Sequence, residues 1–88
     1  MINRAIKKHP SFKMLFTLML EANKESESLI LADALNSGKI GIAQKIVREV
    51  ILSPNIYRFI YDTLGPVNLI GVSSPEEMAN TYFDKIFR

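Results

Sequence analysis

Residues 34–54 read ALNSGKIGIAQKIVREVILSP, and this stretch decides the fold class. Gly38 follows a run of helix-forming residues and can take the left-handed conformation that ends a helix. Beyond it the apolar residues return at helical spacing. On a 100° wheel Ile40, Ile42, Ala43, Ile46, Val47, Val50 and Ile51 share one half, and Gln44, Lys45, Arg48 and Glu49 share the other. Ser53-Pro54 then closes that helix and opens the next, because proline forbids continuation but fits a first helical turn, where its missing N–H costs nothing. Helix, tight turn, amphipathic helix and restart thus follow one another directly.

The same punctuation recurs outward in both directions. His9-Pro10-Ser11 and Ser74-Pro75-Glu76-Glu77 read as further helix starts. In the second, Ser74 as N-cap and Glu77 three residues on form a capping box, with two carboxylates in the positive first turn. Gly65-Pro66 reads as a stop. Helices are therefore expected at about 2–8, 11–22, 25–37, 40–52, 54–64 and 75–87. Pro66 to Val72, with a proline, two nearby glycines and branched residues, reads as an extended segment, either a loop or a strand pairing with another subunit. The expected architecture is all-α: a single domain over 1–88, a compact bundle of five to six short helices with one extended segment near 66–72.

Two helices are apolar around most of their circumference. On the helix from 11 to 22 only Lys13, Thr17 and Glu21 form a polar stripe, and on the helix from 54 to 64 only Arg58 and Asp62 clearly face water. Such helices are expected to be sandwiched in the bundle or to supply an interface. With apolar residues at 48% of an 88-residue chain and no cysteine to staple it, a partner surface is the economical expectation, since a chain this short hides a limited share of its surface. Phe12, Phe16, Met19, Tyr57, Phe59 and Tyr61 are the candidate interface residues, with core packing as the alternative for at least half of them.

Charge is mild in sum, +2, but blocked along the chain. Arg4, Lys7, Lys8 and Lys13 precede an acidic stretch with Glu21, Glu25, Glu27 and Asp33. Lys39, Lys45, Arg48 and Arg58 then precede Asp62, Glu76, Glu77 and Asp84. Alternation of this kind suits contacts within the chain or between subunits better than one continuous anionic ligand.

Catalytic and metal motifs are missing from the sequence. Gly38-Lys39-Ile40-Gly41 matches neither phosphate-loop pattern and reads as a helix-to-helix turn. His9, the single histidine, has no partner group that spacing can assign and reads as a surface residue or an N-cap. No cofactor is implied. The basic start and the run Met14 to Leu20 imitate a secretory leader, but the apolar run is seven residues and Glu21 closes it, so neither a leader nor a membrane contact is expected. The cysteine-free chain fits a reducing cytoplasm.

A helix-turn-helix is the sharpest motif to weigh. Ala34 and Gly38 match its small residue and turn glycine, and Lys39, Gln44, Lys45, Arg48 and Arg58 are residue types that contact nucleic acid. Yet Lys39 and Gln44 occupy positions that the motif keeps apolar. The sequence therefore favours a non-enzymatic regulatory or accessory protein that binds a protein partner as adaptor or inhibitor, as a homo-oligomer. A small nucleic-acid-binding regulator, using a degenerate hairpin at 29–50, is the alternative.

Overall fold

A computed structural model describes residues 1–65, 71 and 74–87. Among the described residues six helices follow one another: α1 (Ile2–Lys8), α2 (Lys13–Glu21), α3 (Glu25–Ser37), α4 (Ile40–Val50), α5 (Pro54–Leu64) and α6 (Pro75–Ile86). A 3-10 turn, Pro10–Phe12, joins α1 to α2. There is no strand among the described residues. The fold is all-α, as the punctuation of the sequence implies. The segment expected to be extended near 66–72 lies, except for Gly71, outside the described residues.

Helix ends follow the local chemistry, with one signal that the glycine and proline steps did not reveal. Gly38 takes φ +70°, and the Lys39 N–H reaches back to the Ala34 carbonyl at 2.9 Å, closing α3. Asn23 does the same work for α2. It sits at φ +59°, and the N–H groups of Asn23 and Lys24 return to the carbonyls of Leu20 and Met19 at 3.1 and 2.8 Å. Asparagine tolerates this conformation better than other residues with a Cβ. Of the proposed N-caps only Ser74 acts through its side chain, its Oγ accepting the Glu77 N–H at 3.2 Å. Ser53 and His9 start their segments without a side-chain cap, Pro54 and Pro10 supplying the first-turn geometry instead.

One buried cluster runs through all six helices. α3 packs on α1, α2 and α4, and α6 on α4 and α5, while α2 also meets α5. The Cα radius of gyration is 12.0 Å, which is the value of about 12 Å that scaling gives for a compact chain of this length. α4 buries Ala43, Ile46, Val47 and Val50 as its wheel predicts, but leaves Ile42 exposed. α2 is less enclosed than its apolar arc suggests. Leu15, Phe16 and Met19 face the core, whereas Met14 and Leu20 are exposed, because α3 and α5 cover one side of the helix only. Ser28 is the buried polar residue, and its hydroxyl is satisfied by the Lys24 carbonyl at 2.8 Å.

His9 departs most from its sequence reading. It is half-buried, its ring stacked on Phe87 at 5.0 Å and edge-on to Phe12 at 6.1 Å. Phe12 in turn meets Phe83 edge-on at 5.8 Å, and Phe83 stacks on Phe87 at 5.1 Å. This row of rings fastens the α1–α2 corner to the last turns of α6. Burial first, and the nearby Lys8 charge second, hold the His9 imidazole below its usual pKa.

Candidate functional site

The corner between α4 and α5 creates an open apolar surface with a defined shape. After Val50 the chain makes a tight turn, with the Ser53 N–H bonded to the Val50 carbonyl at 3.0 Å. Ile51 goes into the core, and the turn leaves Leu52 outside, 73% exposed. Pro54 starts α5 immediately, and Pro75, the first residue of α6, lies across from Leu52. Leu52 and Pro75 both line each of two grooves.

The first groove, about 730 Å³, is mainly apolar, lined by Leu52, Pro54, Tyr57, Tyr61 and Pro75, with Arg58 and Asp62 at its edge. Tyr57 and Tyr61 stand one helical turn apart, 37% and 42% exposed, their rings near-parallel at 6.4 Å between centroids. Such tyrosines keep their hydroxyls wet while presenting a broad apolar body. Arg58 and Asp62 pair at 3.9 Å, with side chains 85% and 67% exposed, a contact that adds little to stability in water. The second groove, about 530 Å³, is also lined mainly by apolar surface, but charged residues contribute to it: Lys45, Arg48, Glu49 and Glu76, beside Leu52 and Pro75.

The structure divides the six candidate interface residues. Phe12, Phe16 and Met19 are core residues of the single chain, not an outward face. Their helix shows its polar stripe, Met14 and Leu20 to the surface instead. Phe59 is half-buried, edge-on to Tyr82 at 6.0 Å. Only Tyr57 and Tyr61 are presented outward, and they are brought together with Leu52, Pro54 and Pro75. A leucine in a turn and two helix-start prolines carry no surface signal of their own in the sequence.

The candidate nucleic-acid residues are dispersed. Lys39 precedes α4 and is exposed, Gln44 is half-buried and Lys45 is exposed. Arg48 is turned into a brace between α4 and α6, its Nη1 donating to the Asn80 Oδ1 at 3.2 Å and its Nε lying 4.0 Å from the Glu76 Oε1. Arg58 lies on another helix, at the edge of the apolar groove. Among the described residues no group of three His, Cys, Asp or Glu side chains could hold a metal ion, and no helix is long and apolar enough to cross a membrane. No protein-family model, curated protein or solved structure matches the chain.

Proposed function

We propose that this chain is a non-enzymatic interaction protein that binds a protein partner through the surface centred on Leu52, Tyr57 and Tyr61. The observation that carries the reading is the exposure of Leu52 beside two outward tyrosines and Pro75, although the chain has a well-packed core in which to hide such side chains. A rigid aromatic pair flanked by aliphatic surface and rimmed by charge has the composition of an interface centre. Nucleic acid draws less support as a partner. Arg48 is committed to α6, and the acids Glu49 and Glu76 share the groove of Lys45, where they would repel phosphates.

The test is photo-crosslinking in cells producing the protein, with a benzophenone amino acid at position 57 and, as control, at position 20 on α2. Position 57 is expected to capture a protein that position 20 does not. The purified pair should then lose affinity by about tenfold or more with Leu52→Asp, which buries a charge in the interface. Adducts equal at both positions, or affinity indifferent to Leu52→Asp, would remove the docking surface from the function.

A further inference from the structure

The geometry points to a second copy of this chain as the occupant of the α5 face, the two α5 helices packing antiparallel across a two-fold axis near the middle of the helix. The inference rests on the interaction reading above and deepens it by naming the partner. Around α5, Ile56, Ile60 and Leu64 face the core. Pro54, Asn55, Tyr57, Arg58, Tyr61 and Asp62 occupy the outward sector. A two-fold axis that reverses a helix keeps each flank of the sector against the same flank of the copy, with the residue order inverted. On one flank Tyr57 then meets Tyr61 of the second copy. Toward the other flank Arg58 meets Asp62 of the second copy, and the reciprocal contacts follow by symmetry.

The face is thus its own complement in charge and in the spacing of its rings. A surface of a single sign would select an oppositely charged partner, whereas this one carries a cation and an anion one helical turn apart, beside two aromatic rings at the same spacing. In the separate chain the Arg58–Asp62 pair lies in water, where it contributes little. Covered by a second helix, the same groups would form two intermolecular pairs at the edge of an aromatic centre. A net charge of +2 on each copy sets little long-range repulsion against association.

The experiment is multi-angle light scattering on a size-exclusion column, loaded from micromolar to millimolar concentration, with the full chain and two variants. The wild-type chain is expected to reach the mass of a dimer. Arg58→Asp and Asp62→Arg each set like charges against one another across the axis and are expected to raise the dimer dissociation constant about tenfold or more. Mixed in equal amounts, the two variants are expected to form a heterodimer at least as tight as the wild-type dimer. Each variant has lost its pair within the chain, so recovery can come only from pairs between chains.

Both positions are exposed, and far-UV circular dichroism checks that the variants fold. Should either fail to fold, the wild-type mass and the dilution dependence of the α5 amide resonances decide alone. A wild-type chain that stays monomeric at millimolar concentration, or a mixture no tighter than either variant, overturns self-pairing through α5. A monomer whose position 57 crosslinks a different protein overturns the second copy as occupant and leaves the interaction reading standing. A monomer that crosslinks nothing through position 57 overturns both.

Discussion

α4 and α5 are neighbours of equal length, eleven residues each, and they use their apolar residues differently. α4 buries small and branched aliphatic side chains, Ala43, Ile46, Val47 and Val50, and apart from Ile42 turns polar residues outward. α5 buries a narrower aliphatic stripe, Ile56, Ile60 and Leu64, and turns two tyrosines to solvent. A buried aliphatic stripe such as that of α4 marks where a helix meets the core. A tyrosine is at home on either side of that boundary, and on α5 the pair stands where the core is already complete.

The sharpest way to break this contrast is within α5 itself. Ile60→Ala should cost about 2–5 kcal/mol of unfolding free energy in a urea titration, through lost burial and the cavity left behind. A loss below about 1 kcal/mol would mean that the inward stripe is not core.

α6 backs both helices, so its ends test whether α4 and α5 depend on one support. Ser74→Ala should cost about 1 kcal/mol by removing the Ser74 Oγ acceptor from the first turn. Amide exchange should then quicken in the α6 start and in the facing turns of α4 and α5 together. Exchange that quickens in α6 alone would separate the two helices from it.

A smaller effect is expected at the opposite end of α6, where His9 stacks on Phe87. The folded chain disfavours the imidazolium, so the unfolded chain takes up the proton first as pH falls through the ordinary histidine value of 6.5. Stability is full above that pH and declines as the pH drops toward the lower value of the folded state. The melting temperature should follow this course in the wild-type chain and lose that component in His9→Gln. The smallest effect is expected from Tyr61→Ser, within about 0.5 kcal/mol of wild type by urea titration at a dilution where the chain is monomeric. A cost comparable to that of Ile60→Ala would place Tyr61 in the core and erase the distinction between the two faces.

Where the signal is local, sequence and structure agree closely. α3 and α5 span the expected residues, and α4 ends at Val50, short of the expected 52, because Ile51 to Ser53 form the tight turn into α5. Gly38, Pro54 and Ser74 act within a few residues of themselves, which is why their reading succeeds. The stop at Asn23 was equally local, but glycine is the usual signal there and asparagine the less common one.

Legibility fails where the deciding partner is distant in sequence. The wheel of α2 measures the width of its apolar arc, but whether Met14 and Leu20 are covered depends on how many helices reach that side. The inward fate of Phe12 depends on Phe83, and the half-burial of His9 on Phe87, neither signalled near residues 9–12. Of the candidate surface, Tyr57 and Tyr61 stand among the candidates because of the wide apolar arc of α5, which does not separate them from the half-buried Phe59. Leu52 and Pro75 are not legible there, since they meet only when α6 returns beside the α4–α5 corner.

The contact between His9 and Phe87 has a meaning for the order of folding. It closes a loop spanning almost the whole chain, whereas the α3–α4 and α4–α5 turns are made by residues adjacent in sequence. Closing a long loop is entropically costly until the elements inside it have formed. The central hairpins are therefore positioned to assemble first, with the ring row locking last.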